Sequence, residues 1–283
     1  MPNSSGKSKD RFAPTITSAS GPVISRRRIV TLFGAAASLV LIGLHRPASA
    51  AIYFQDGFDR DADTFTNWDI TRIANNSITT DSAVVRSGTH SVKMAVEDID
   101  SNTFGFTGVR AQLTKTNLFR QGSERYIGFS LYIPSDHPEV TKWHNVFQLG
   151  YTGNSKPPSI FGLVRGGRLS LESLSGGSSS QWSSKWTSAS SVKGAWHDIV
   201  FRVFFHRDPA QGWVELWLDG VQQTMANGQR RIYYSTIHPN ESATAAGHLH
   251  VNNYRERGQY QWSTTYYDSV KVGYSYAAVN RAG

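Results

Sequence analysis

From residue 51 to the C-terminus, short runs of alternating apolar and polar residues follow one another, broken by Gly, Ser, Asn and Pro, and no long helical period interrupts them. A side-chain period of two is the mark of a strand with one face buried. The runs cover 91–96, 125–133, 145–150, 159–164, 197–205, 213–218, 248–254 and 269–273. Many short strands separated by turn signals predict an all-β domain, a β-jelly-roll sandwich. Phase separates core from surface. Ile127, Phe129, Leu131 and Ile133 face one way, and Pro134 ends the run. Ile199, Phe201, Val203 and Phe205 form a second stripe. Val214, Leu216 and Leu218 form a third, followed by an Asp219-Gly220 hairpin turn. The Ser- and Gly-rich segment 173–191, with Trp182 and Trp186, reads as a long loop beside a cleft.

Residues 1–50 are of another kind. Ser25-Arg26-Arg27-Arg28-Ile29-Val30, the apolar run Thr31 to Leu44 and the small-residue site Ala48-Ser49-Ala50 match a twin-arginine export signal. That apolar run is shorter than the ~20 residues of a permanent membrane helix. The expectation is an export signal over 1–50, one domain over 51–283, and a secreted bacterial protein that is monomeric and leaves the membrane once the signal is removed. The signal also distorts the charge. Seven of the 29 Lys and Arg residues lie in it, against one of the 21 acids, which leaves 22 basic and 20 acidic residues and a net charge of +2. Bulk basicity therefore gives no argument for a nucleic-acid partner. The absence of cysteine excludes disulfides and thiolate chemistry.

Three runs put chemically capable groups in one phase. In 248–254, His248, His250, Asn252 and Tyr254 share a face, with Leu249, Val251 and Asn253 opposite. In 108–113, Arg110 and Gln112 share a face. In 143–149, the same alternation pairs His144 with Gln148, opposite Asn145, Phe147 and Leu149. If these faces line one concave groove, they supply hydrogen-bond donors and proton-transfer groups without a carboxylate. A glycoside hydrolase usually needs two acids about 5 to 9.5 Å apart. Glu215 and Asp219, four residues apart on an extended strand, are separated by roughly 13 Å. Cleavage of a uronic-acid chain by β-elimination has other needs: an Arg, Gln or Asn to neutralise the carboxylate beside C5, and a His or Tyr to move the proton.

A family resemblance points the same way. Glu124-Arg125-Tyr126-Ile127-Gly128-Phe129-Ser130-Leu131-Tyr132-Ile133-Pro134 resembles a strand block of the heparin lyase I and glucuronan lyase type of polysaccharide lyase, jelly rolls related to alginate lyases. Arg110-Ala111-Gln112-Leu113 is similar to an Arg-x-Glu-Leu motif there, with Gln112 in place of Glu. Asn145 to Leu149 resembles the strand carrying Gln-Ile-His, and 248–254 resembles Tyr-Phe-Lys-x-Gly-x-Tyr, ending in Tyr254. The chain departs from the pattern at Gly150, where the His would stand, at His250 in place of Lys, and at Asn252 in place of Gly.

The resemblance implies a concanavalin A-like sandwich with a concave substrate groove, acting as an endolytic lyase on an acidic polysaccharide without an organic cofactor. It implies Gln148 as carboxylate neutraliser and Tyr254 as the proton-transfer tyrosine. It does not name the base: His144 leads among the histidines, ahead of His248 and His250, and Tyr254 is the other candidate to take the C5 proton as well as to protonate the departing oxygen. Arg110 joins Gln148 in neutralising the uronate. Gln112, His248, His250, Asn252, Arg255 and Arg257 complete a substrate-binding set. Related jelly rolls often hold a structural Ca²⁺, and Asp56, Asp59 and Asp268 are the candidate ligands. Two other readings stay open: a non-catalytic carbohydrate-binding module that stacks sugars on Trp213, Trp217 or Trp262, and a hydrolase with an irregular acid pair.

Overall fold

The period-two runs become strands, and the strands pair into two antiparallel sheets. A computed structural model describes residues 51–60, 65–72, 78–97, 108–139, 142–151, 158–174, 182–257 and 262–281; the expected export signal at 1–50 lies outside them. In chain order the strands among these residues are β1 (Ile52–Asp56), β2 (Ile70–Arg72), β3 (Ile78–Asp81), β4 (Ser91–Glu97), β5 (Gly108–Phe119), β6 (Glu124–Tyr132), β7 (His144–Tyr151), β8 (Ile160–Arg165), β9 (Arg168–Leu174), β10 (Trp182–Thr187), β11 (Trp196–Phe204), β12 (Trp213–Leu218), β13 (Val221–Gln222), β14 (Arg231–Tyr233), β15 (Gly247–Glu256) and β16 (Trp262–Gly273). One short helix, α1 (Tyr276–Val279), follows them. The first sheet runs β13-β12-β11-β6-β16-β4-β3, with β1 added on β16 and β14 on β12. The second runs β10-β9-β8-β7-β15-β5-β2.

Because β5 and β7 belong to one sheet and β4 and β6 to the other, the chain crosses repeatedly between layers, and the apolar stripes meet face to face. Ile127, Phe129, Leu131, Phe201, Val203, Val214 and Leu216 are buried from the first sheet, and Leu113, Phe147, Leu149, Leu249 and Val251 from the second. Aromatic rings join the layers. Phe119 stacks on Phe205 at 3.8 Å, and Phe147 lies 4.8 Å from Phe201 and 5.3 Å from Phe129. Burying side chains of this size contributes about 1.5–3 kcal/mol each. The turn after β12 has positive φ at both central residues, 51° at Asp219 and 80° at Gly220, the mirror-image geometry that matches strand twist.

One segment departs from the expectation. Within 173–191, Trp182–Thr187 forms the edge strand β10, paired to β9, and Trp186 is buried in the core. Trp182 and Ser184 are the outward half of this strand, with Ser183 turned the other way opposite the buried Ser173; residues 175–181 lie outside the described residues.

Candidate active site

Residues paired directly across antiparallel strands point to the same side of a sheet. On the second sheet one transverse row reads Thr114 (β5), His250 (β15), Gln148 (β7), Phe161 (β8), Glu172 (β9) and Ser184 (β10). A second reads Arg110, Tyr254, Asn145 and Leu163. Between them Gln112 pairs with Asn252, and beyond them His248 pairs with Gly150. The structure therefore brings Arg110, Gln112, Gln148, His248, His250, Asn252 and Tyr254 to one face.

His144 is not among them. Relative to β8, β7 spends two residues, Phe147 to Asn145, where its neighbour spends one; β15 spends three residues, Val251 to Tyr254, against the same two. The alternation of β7 breaks at Val146. Val146 and Phe147 both enter the core, so Asn145 turns to the groove and His144 to the interior. Tyr267, reaching across from the first sheet, holds this break: its hydroxyl lies 2.6 Å from the carbonyls of both Val146 and Asn252.

His144 is fully buried, its ring stacked on His137 at 5.0 Å. Asn253 donates from Nδ2 to the carbonyls of Met94 and Ser263, so its Oδ1 is the acceptor and His144 Nε2, 2.9 Å away, is the donor. Burial, and then the charge of His137, hold the His144 imidazole well below its ordinary pKa. A neutral imidazole sealed between two sheets cannot reach a substrate, which removes His144 as the base.

Arg255 is corrected for the same reason. It too is fully buried, donating from Nε to Ser263 Oγ at 2.8 Å and from its Nη groups to the carbonyls of Glu256 and Val96. It ties the sheets together and does not face a sugar. Arg257 is exposed just past β15.

At the centre of the groove, the Arg110 guanidinium lies over the Tyr254 ring at 4.2 Å, and Trp143 meets that ring edge-on at 4.6 Å. Gly108 leaves room for this stack, since a β-carbon there would come within 2.8 Å of Tyr254 Cε2. Burial raises the Tyr254 pKa, and the Arg110 charge opposes the rise. A polar chain then crosses β5. Arg110 Nη1 donates to Gln112 Oε1 (3.3 Å), Gln112 Nε2 donates to Thr114 Oγ1 (2.9 Å), and Thr114 Oγ1 meets His250 Nδ1 (2.7 Å).

Asn252 is 0% exposed, and among the described residues neither its Nδ2 nor its Oδ1 finds a partner; Asn145 Oδ1 is also buried without one there. His248 fills the place left by Gly150: its Nε2 stands 2.7 Å from where a β-carbon of residue 150 would be, and its ring lies 4.2 Å from that of His250.

Four groups escape sequence reasoning. Plain alternation puts Asn145 on the opposite face, because the break at Val146 has no signature in residue types. Thr114 and Trp143 carry no signal apart from their neighbours. Glu172, a buried carboxylate near Arg165 (3.4 Å), could have been found from the alternation of Leu169 and Leu171 with Ser170 and Glu172.

The expected metal ligands are engaged elsewhere. Asp56 accepts from Phe58 N–H, Trp68 Nε1 and Arg60; Asp59 from the N–H groups of Thr89 and His90; Asp268 from those of Arg86 and Ser87. Among the described residues no three His, Cys, Asp or Glu side chains gather at one point. The hydrolase pair is absent from the groove as well. Glu215 is bound to Arg202 and Arg231 on the first sheet, and Asp219 to His197. On that sheet Trp213 is covered by the same two guanidinium groups, Arg231 at 3.8 Å and Arg202 at 5.0 Å, and offers no open ring.

Known proteins share this architecture. An endo-β-1,4-glucuronan lyase from the fungus Trichoderma reesei superposes with a TM-score of 0.61 at 19% identity, over 81% of this chain and 98% of that one. The family 7 alginate lyase A1-II′ superposes with a TM-score of 0.53 at 12% identity, over 72% and 85%. A carbohydrate esterase of the Shiga toxin-encoding bacteriophage phi24B gives 0.51 at 13%, over 79% and 98%. At these identities the likeness concerns the fold. A search of curated sequences finds no match. The family model described as polysaccharide lyase matches residues 60–271, and this chain belongs to that family.

Proposed function

We propose that the chain cleaves an acidic, uronate-containing polysaccharide by β-elimination, at internal bonds. One observation carries the reading: the Arg110 guanidinium lies over the Tyr254 ring at 4.2 Å, both half-buried, on the face they share with Gln112, Gln148 and Asn252, a buried amide with no hydrogen-bond partner among the described residues. An unmade buried hydrogen bond costs about 1–3 kcal/mol. Once the side chains over Asn252 shift, a sugar acid supplies both counterparts, a carboxylate oxygen for Nδ2 and a hydroxyl for Oδ1. Asn145 Oδ1 offers a second hydroxyl acceptor.

The chemistry follows from the donors. Removing the C5 proton leaves charge on the adjacent carboxylate, where the Arg110 guanidinium and the amides of Asn252 and Gln148 stabilise it. The C5–H electron pair becomes the C4–C5 double bond, the C4–O4 bond breaks, and O4 takes a proton. C5 and O4 are separated by C4 alone, whereas His250 stands four residues from Tyr254, ~13 Å along an extended strand. In our reading Tyr254 therefore does both jobs, taking the C5 proton as phenolate and returning it to O4, with Arg110 stabilising the phenolate. His248 and His250 contact the neighbouring sugar. Polar groups spread over β5, β15, β7 and β9 support a chain lying across the sheet, hence internal cleavage.

We also propose export, which the twin-arginine pattern supports; no helix among the described residues is long and apolar enough to cross a membrane. The test is to incubate the protein with glucuronan, alginate, heparin and hyaluronan and follow the ultraviolet absorbance of the unsaturated uronate end. Product from at least one polymer is expected, and silence on the whole panel would refute the reading.

A further inference from the structure

We infer that the groove carries a second, aromatic subsite at its β10 edge, in which Trp182 holds a pyranose ring of the same polysaccharide several units away from the bond that is cut. The inference rests on the lyase reading above and extends it. Trp182 lies two residues from Ser184 in regular strand, so it shares the face of Glu172, Phe161 and Gln148. Contact confirms the side: its ring meets that of Phe161 edge-on at 4.4 Å. The ring is 46% exposed, while Phe161 beneath it is buried and packs with Leu163 apart from the main core. An exposed indole braced from below by a second ring presents a flat apolar surface of the kind that covers the C–H face of a sugar.

Continuity with the catalytic face identifies the occupant. From β15 to β10 there are four strand spacings, about 19 Å at 4.7–4.9 Å each, all on one face. A polymer crossing the sheet from Tyr254 reaches Trp182, and a short oligomer does not. The floor between them suits an acidic chain. Glu172 does not stand as an unpaired negative charge there, since Arg165, 48% exposed, lies 3.4 Å from it.

The test compares the full chain with Trp182→Ala and Trp182→Phe. On polymeric glucuronan or alginate, Trp182→Ala is expected to raise KM about two- to twelvefold, the factor that about 0.5–1.5 kcal/mol of aromatic contact gives, with kcat unchanged. On a uronate trisaccharide its kcat/KM stays at the wild-type value. Trp182→Phe recovers part of the polymer KM. Equal loss on polymer and trisaccharide, or no change on polymer, overturns the subsite. Affinity electrophoresis through gels containing the same polymers reads the subsite without turnover. If wild type yields no unsaturated product yet is retarded, and Trp182→Ala is not, the lyase reading fails and the subsite stands.

Discussion

Acid should loosen this sandwich through one histidine. His137 is 4% exposed, stacks on His144, and its Nδ1 lies 3.1 Å from the Thr264 carbonyl. The charged groups around it are mostly cations: Lys193, which donates to the His137 carbonyl and to Glu139, and the buried Arg255. Burial lowers the His137 pKa from 6.5 to about 4; the Thr264 hydrogen bond pulls upward against it, Lys193 and Arg255 add to the lowering, and Glu139 adds the smallest upward pull. A folded-state value below the unfolded one means that the unfolded chain binds the extra proton. Stability is then full above pH 6.5 and declines as pH falls toward 4. The whole shift corresponds to about 3.4 kcal/mol at 1.36 kcal/mol per unit, of which about 2 kcal/mol is lost by pH 5. With a urea slope of about 2–3 kcal/mol/M, the midpoint should drop by roughly 0.7–1 M between pH 7 and pH 5. Urea titrations followed by tryptophan fluorescence read this directly. His137→Asn keeps a donor for Thr264 without a titrating ring, and its midpoint should lose less than wild type over the same interval, the buried His144 accounting for what remains. If His137→Asn and wild type lose the same amount, the burial argument is wrong.

Four further outcomes follow from the groove. Tyr254→Phe should lower kcat by about 10²–10⁴ with unfolding unchanged. The pH dependence of kcat/KM should rise through the alkaline range, because burial raises the phenol, and Arg110→Gln should move that limb further up; a limb near pH 6.5 would assign the base to a histidine instead. Asn252→Leu removes an unpartnered buried amide, so activity should vanish while urea stability holds or gains about 1–3 kcal/mol; a loss of both would make Asn252 structural. Gly150→Ala should reduce activity by pushing His248 aside and should cost nothing further in a His248→Ala background, a double-mutant cycle that additivity would refute.

Most of the fold was legible because the alternation is regular wherever a strand packs against regular neighbours. The stripes of 127–133, 199–205 and 214–218 needed no structure to be assigned, and 248–254 kept its phase against β5 throughout. The same rule, applied one strand further, inverted the N-terminal half of β7. Gln148 came out correctly and His144 did not, because a single break at Val146 reverses every residue on one side of it. Nothing in His-Asn-Val-Phe-Gln announces the break. Its cause sits about 120 residues away, where Tyr267 caps the carbonyls of Val146 and Asn252 from the opposite sheet. A core residue that never touches the face carrying Arg110 and Tyr254 thus meets the backbone at the break beneath it. Asn145 is placed by that distant hydroxyl, and so is Asn252. That hydroxyl carries one proton for the two buried carbonyls it meets, and without it one of them would lose its donor at the point where the strand leaves plain alternation.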